Sequence, residues 1–195
     1  MTQGTLPELV EGVLSGKLIS FPTDTVPALA ALPQKAPLIF TAKQRSQDKP
    51  LILMAACATD LWAFVAGSAE ELLIWQQMAA TYWPGAITMV LPASDRVPRE
   101  INLASSTTVG LRVPNHATAR AILSRTGALA TTSANKSGKP PLQTMREIDA
   151  EFPDVLTLVP TAGTEDLASA IPSTVIKWID NNWQILRLGA VKLES

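Results

Sequence analysis

Short apolar runs at 51–56, 87–91, 108–113 and 129–132 alternate irregularly with segments of helical period, and this alternation limits the folds open to the chain. Runs of that length fit strands, whereas 68–80 and 117–125 are long enough for helices. A chain that keeps switching between the two periods must pack helices on a sheet. A first helix is expected over 5–16, where Leu6, Leu9, Val10, Val13 and Leu14 recur at helical spacing and Gly16 sits at the cap. A strand over 17–21 is stopped by Pro22, and Thr23-Asp24-Thr25 reads as a polar loop. Further helices are expected over 36–44, ending near Lys43, over 59–65, and from near Thr144, with Glu147 as capping-box partner. Trp83-Pro84-Gly85 reads as a turn, 92–106 as polar and irregular, 133–143 as a loop, and 156–159, 173–178 and 183–188 as late strands. The fold class is therefore mixed α/β (α+β), a twisted open sheet flanked by helices.

Composition narrows the function. The 195 residues, 47% hydrophobic and 17% charged, suit one domain over 1–195 whose core needs no disulfide. A net charge of −1 excludes a general nucleic-acid coat but leaves room for a local basic patch. The single cysteine, Cys57, follows an apolar run and reads as a small buried hydrophobe rather than a nucleophile. The single histidine, His116, reads as a loop residue and builds no zinc site, so no metal site is expected. The N-terminus has no basic region followed by an apolar core, and no apolar run reaches membrane-spanning length. A soluble cytoplasmic protein without membrane contact is the expectation. Gly12 to Leu18 is one residue short of a P-loop, with Leu18 where a magnesium-binding hydroxyl belongs. There is no G-x-G-x-x-G and no defensible Ser-His-Asp pattern.

Several stretches carry candidate chemistry. Lys43-Gln44-Arg45-Ser46-Gln47-Asp48-Lys49 places three cations within seven residues. Arg45 offers a planar donor fork for phosphate, and Lys43 and Lys49 offer compact charges, although an exposed basic loop would look the same. At 129–140 an apolar strand emerges into hydroxyls and an amide, including Thr131, Ser133 and Asn135. Such a loop presents donors to a nucleotide or carboxylate, or is a plain polar turn. In Thr108 to Pro114, Arg112 follows alternating apolar residues, so it either holds a carboxylate at the strand's end or makes a surface salt bridge. Arg187, flanked by apolar residues, suits a purely solvated role poorly.

The order and spacing of these segments resemble the YrdC-like threonylcarbamoyl-AMP synthase family in its short, single-domain form. The resemblance runs from Phe21-Pro22-Thr23-Asp24-Thr25-Val26 through Lys43-x-Arg45, Trp83-Pro84-Gly85 and Ser133-x-Asn135 to Pro172-Ser173-Thr174 and Arg187-x-Gly189. It implies a YrdC/RibB-like fold with a deep positively charged cavity. The implied reaction joins L-threonine, bicarbonate and ATP, with Mg2+ accompanying ATP, into threonylcarbamoyl-adenylate. That nucleotidyltransferase product feeds tRNA N6-threonylcarbamoyladenosine modification, so the tRNA-modification machinery is the downstream recipient.

By the same resemblance, Lys43, Arg45, Ser133 and Asn135 form the catalytic signature. Arg45, Lys49, Thr108, Ser133 and Arg187 match ATP-contacting positions, and Thr23, Arg112 and Thr131 match threonine-contacting ones. Two departures stand out. Pro27-Ala28 replace an aromatic residue and glycine, which predicts a differently shaped loop if the glycine supplied a positive φ. Met54 replaces a histidine of the longer form. The competing reading is a diverged paralogue that binds nucleotide or double-stranded RNA without synthase activity.

Overall fold

The structure is a computed structural model and describes residues 3–47, 49–101, 107–159 and 170–193. Ten strands form one mixed sheet in the order β1-β8-β2-β3-β7-β4-β6-β5-β9-β10. They are β1 (Gln3–Gly4), β2 (Ile19–Phe21), β3 (Ala28–Ala31), β4 (Ile52–Met54), β5 (Ile87–Pro92), β6 (Thr108–Arg112), β7 (Leu129–Ser133), β8 (Leu156–Leu158), β9 (Thr174–Ile179) and β10 (Asn182–Arg187). Five α-helices accompany them: α1 (Leu6–Leu14), α2 (Pro37–Lys43), α3 (Ala69–Tyr82), α4 (Ala117–Thr126) and α5 (Met145–Glu151).

The helices begin where their capping chemistry places them. Ser68 and Glu71 bond reciprocally at the start of α3, the Glu71 N–H donating to Ser68 Oγ at 3.2 Å and the Ser68 N–H to Glu71 Oε2 at 2.9 Å. Thr144 and Glu147 repeat this at α5, as the sequence predicts. Gly16, at a φ of 91°, takes the left-handed position that follows α1.

Two apolar clusters, one on each face of the sheet, divide the helices. One packs Ile39 and Phe40 of α2, Trp75 and Ala79 of α3 and Ile148 of α5 against Leu53, Met89, Leu111 and Ile176. The other packs Leu9 and Val13 of α1 and Ile122 and Leu123 of α4 against Ile19, Ala30, Met54 and Leu129. Along β4, β5, β6 and β9, alternate residues enter the first cluster, so their neighbours face the other way. The helices α1 and α4 serve only the β2–β3 side of that second face. Among the described residues the same face of β6, β5, β9 and β10 is left without a helix, and this open half positions the site.

Several expectations need correction. The segment 59–65 forms two single 3-10 turns, Ala58–Asp60 and Trp62–Phe64, because Val65 is extended and bridges to Ala93. The strand β3 goes unforeseen in the sequence; its residues ALAA are too small and featureless to declare a strand, and it forms because Phe21 and Ser133 flank Ala28 in register. Cys57 is only half-buried. It lies past the end of β4 at a chain reversal, where its thiol bonds Thr59 and Asp60 side chains at 3.0 Å. His116 is no plain loop residue; its Nδ1 caps α4 by accepting from the Ala119 N–H. Of the irregular stretch 92–106, Pro92 extends β5, Arg99–Ile101 form a 3-10 turn, and 102–106 lie outside the described residues.

The chain after β10 is clamped against the start of β9. Thr174 Oγ1 accepts from the Gly189 N–H at 2.9 Å, and a Cβ on Gly189 would stand 2.2 Å from Pro172 O and 2.5 Å from Thr174 N. Those atoms are backbone and have little room to yield. Gly189→Ala is therefore expected to destabilise the fold by about 2 kcal/mol, the usual scale of overpacking. Urea unfolding of the two proteins checks this; an unchanged midpoint would show that the clamp is loose.

Candidate functional site

A cavity of about 560 Å3 opens on the uncovered half of the sheet. That is within the usual size range of small-molecule sites. Strand register lays out its floor. Met54 pairs with Arg112, Thr88 with Val175, and Arg187 with Val175, giving one cross-sheet row that carries an arginine on either side of a threonine and a valine. One pleat along, Thr131 pairs with Ile52, Ile52 with Gly110, Gly110 with Val90 and Val90 with Lys177. The third row holds Ser133 and Thr108. The lining contains five cationic side chains, Arg45, Arg112, Lys139, Lys177 and Arg187, and no carboxylate among the described residues. The chain carries a net charge of −1, so the cavity is strongly positive against the protein's average.

Arg112 anchors one end. It is 4% exposed, and three acceptors surround it: Gly85 O at 3.1 Å from Nε, Thr25 Oγ1 at 2.8 Å from Nη1, and Asp24 Oδ1 at 2.6 Å from Nη2. The β2–β3 loop is thereby tied across the open sheet to β6. Burial pushes the guanidinium below its usual pKa and Asp24 opposes that shift, while an arginine remains charged throughout. Three of its five N–H donors are committed, which leaves donor capacity for a ligand carboxylate. It is thus a buried ion pair and not a surface one.

Arg45 reaches the cavity through a helix ending. Gln44 takes a φ of 50° after α2, with the Arg45 N–H donating to Phe40 O and the Gln44 N–H to Thr41 O, a Schellman closure. The chain reverses there. Lys43 stays inside, 1% exposed, and Arg45 swings to the cavity wall, where Nε and Nη2 donate to Lys49 O and Pro50 O, each at 3.2 Å. The Lys43 ammonium donates to Ser133 O and, at 3.1 Å, to Asn135 Oδ1. Ser133 Oγ donates to the same Oδ1 at 2.6 Å, and Ser137 N–H donates to Lys43 O. The Lys-x-Arg and Ser-x-Asn segments, 90 residues apart, are one hydrogen-bonded staple.

Arg187 owes its aim to a β-bulge. The β9–β10 register shifts between Ile185 and Arg187. In an unbroken ladder Leu186 would sit opposite Val175 and Arg187 opposite Thr174 on the core face; the bulge at Leu186 sets Arg187 opposite Val175, on the cavity face. Its guanidinium donates to Ser173 O at 2.8 Å, and Ser173 Oγ in turn pairs with Thr88 Oγ1 at 2.8 Å.

The structure brings Arg45, Thr108, Arg112, Thr131, Ser133, Asn135 and Arg187 together on the lining. Three expected residues are placed elsewhere. Lys43 stands behind the wall. Thr23 is 1% exposed and its hydroxyl donates within its own loop to Val26 O. Lys49 is exposed outside the lining. Thr25, Lys139 and Lys177 also line the cavity, beyond the residues expected from the sequence. A lysine two positions beyond Val175 in an apolar strand was the available signal for Lys177. At Pro27-Ala28, Ala28 has ordinary strand pairing and no positive φ, and Pro27 O accepts from the Ala134 N–H, so neither residue strains this chain's own loop.

Fold and site together define an α/β protein whose open sheet face forms a cavity lined by cationic side chains. The family model described as telomere recombination, that of Sua5, YciO and YrdC, matches residues 12–189. The chain belongs to this family. A Pyrococcus abyssi protein named threonylcarbamoyl-AMP synthase is 34% identical over 94% of the chain, and one of that name from Halorhodospira halophila is 34% identical over 70%. The chain spans 53% of the first relative's length and 72% of the second's. The crystal structure of P. abyssi Sua5 complexed with L-threonine superposes with a TM-score of 0.83 at 28% identity, covering 96% of this chain and 56% of that one. The Escherichia coli YciO structure, at a TM-score of 0.81 and 23% identity over 96% of this chain and 90% of its own, shares the fold.

Lys43 gives the site a measurable signature. Burial first, and the nearby Arg45 second, lower its pKa from 10.5 to about 7. Between those values the unfolded chain binds the extra proton and the folded one does not, so this lysine makes stability rise with pH across that window. The stability of the wild type relative to Lys43→Met is expected to be flat below pH 7 and to increase from pH 7 towards 10.5. Urea unfolding across that range checks the sign; a difference that is constant or falls with pH would contradict the buried, discharged lysine.

Proposed function

We propose that the chain makes threonylcarbamoyl-adenylate from L-threonine, bicarbonate and ATP, releasing pyrophosphate, and that its product serves tRNA N6-threonylcarbamoyladenosine modification in the cytoplasm. The observation that carries the reading is the cavity: five cationic side chains and, among the described residues, no lining carboxylate, one of the cations being the buried Arg112, in a chain whose relatives bear the synthase name. Threonine supplies one carboxylate and ATP a triphosphate, and both need charge neutralisation to share one cavity.

The chemistry has two steps. The amine of threonine forms a C–N bond to the carbon of bicarbonate, with water leaving, to give a carbamate. A carbamate oxygen then forms a bond to the α-phosphorus of ATP as the bond to the bridging oxygen breaks and pyrophosphate departs. Neither step requires a protein nucleophile. In this reading Arg112 holds the threonine carboxylate at one end, near Thr25 and Thr131. Arg45, Thr108, Ser133 and Arg187 hold the nucleotide, and Lys43 with Asn135 fixes the wall that carries them. Positioning and electrostatic neutralisation supply the catalysis. Magnesium comes with ATP; among the described residues the lining offers no carboxylate, which fits an ion held by phosphate and water.

The non-synthase reading rests on Pro27 and Ala28, and the regular pairing of Ala28 in β3 supports the synthase reading against it. The test is pyrophosphate release by the purified chain with ATP, bicarbonate and threonine. Release that depends on threonine and needs no tRNA is expected. ATP binding without turnover would overturn the proposal. Arg45→Ala is expected to weaken ATP binding by about tenfold or more, since it deletes a charged hydrogen-bond donor. Unchanged ATP affinity by calorimetry would remove Arg45 from the site.

A further inference from the structure

Lys177 is a cavity cation that neither the sequence motifs nor the proposed reaction uses. It lies on β9 between Ile176 and Trp178, which point into the core, so its own side chain faces the cavity with Val175. It is half-buried, and it makes no hydrogen bond or ion pair among the described residues. A lysine in this setting usually finds a carboxylate or reaches solvent. Among the described residues the lining offers Lys177 no carboxylate, so its charge stands available to an anion that enters the cavity.

The neighbouring strand suggests what that group is. Lys177 pairs with Gln184, and Arg187 pairs with Val175, so Lys177 and Arg187 are diagonal neighbours on one face of an antiparallel pair. Such neighbours stand roughly 7–8 Å apart, and long side chains can converge on one group between them. Arg187 is fixed by Ser173 O, and Ser173 and Thr88 add hydroxyls beside it. The charge balance selects the ligand. Asp24 already compensates Arg112, while Lys139, Lys177 and Arg187 meet no carboxylate on the lining among the described residues. A single carboxylate satisfies one of them; a polyphosphate spans several.

We propose that Lys177 and Arg187 form a two-point clamp on one phosphate group of a polyphosphate ligand, with Lys177 as its point charge. Taken as a contact to ATP, the clamp rests on the synthase reading; as a polyphosphate site it stands without it. The experiment measures binding of ATP, adenosine and inorganic tripolyphosphate by calorimetry to the wild type, Lys177→Met, Arg187→Met and the double variant. Lys177→Arg serves as the charge-retaining control and thermal melts as the check on folding.

The expected result is about a tenfold loss of tripolyphosphate and ATP affinity in Lys177→Met, the scale of one charged hydrogen bond, with adenosine binding unchanged and Lys177→Arg largely restored. The double variant should lose less than the product of the two single losses, because the two cations share one ligand group. Unchanged tripolyphosphate affinity in a folded Lys177→Met would overturn the proposal, as would equal losses for adenosine and ATP or strictly multiplicative losses in the double variant. A wild type that binds tripolyphosphate but not ATP would sink the synthase reading and leave the clamp standing. Binding of neither would sink both.

Discussion

Everything at the site hangs on a guanidinium that has left water. Arg112 ends β6 on the open face of the sheet, where it gathers the side chains of Asp24 and Thr25 and the carbonyl of Gly85. Those acceptors come from two separate connections, the β2–β3 loop and the turn before β5. The same residue therefore shapes the cavity roof, fixes its floor and offers its remaining donors to whatever enters. Removing one partner of such a buried pair leaves an uncompensated charge at a cost of about 3–5 kcal/mol. Asp24 thus matters to the site although it does not line it.

The rest of the cavity follows from how the sheet is covered. Helices α2, α3 and α5 pack on one face, and α1 and α4 cover only part of the other. The period-2 alternation of four central strands sends large apolar residues to the covered side and leaves Thr88, Val90, Gly110, Arg112, Val175 and Lys177 on the open one. Two local devices then bring in cations that register alone would misplace. The left-handed turn at Gln44 sends Lys43 inward and Arg45 outward. The bulge at Leu186 moves Arg187 from the core face to the cavity face.

Much of this was legible in the sequence, and the exceptions have physical causes. The helices with capping pairs, Ser68 with Glu71 and Thr144 with Glu147, announce themselves locally, as do the strongly apolar strands β4, β5 and β6. The strand β3 does not, because Ala28–Ala31 become a strand only by pairing with Phe21 and Ser133, which are distant information. The site motifs indicated which residues gather, and seven of them line the cavity. They did not indicate which face the wall and which face the ligand. Lys43 and Arg45 differ in role through one backbone torsion at Gln44, and no residue-type rule reports that. Thr23 and Thr25 are equally good ligands on paper, yet the first spends its hydroxyl on Val26 O and the second turns to Arg112. Pro27 and Ala28 depart from the family pattern in sequence, and Ala28 takes ordinary strand pairing in β3.

The account stands or falls on Arg112 being the carboxylate end of a cavity whose other cations serve phosphate. The most direct measurement is calorimetric titration of L-threonine and of ATP separately into Arg112→Lys and the wild type. A lysine keeps the charge but cannot hold Asp24, Thr25 and Gly85 while presenting a fork to a ligand. The account predicts that threonine binding is lost while ATP affinity is largely kept. Threonine binding retained alongside a loss of ATP affinity would contradict it.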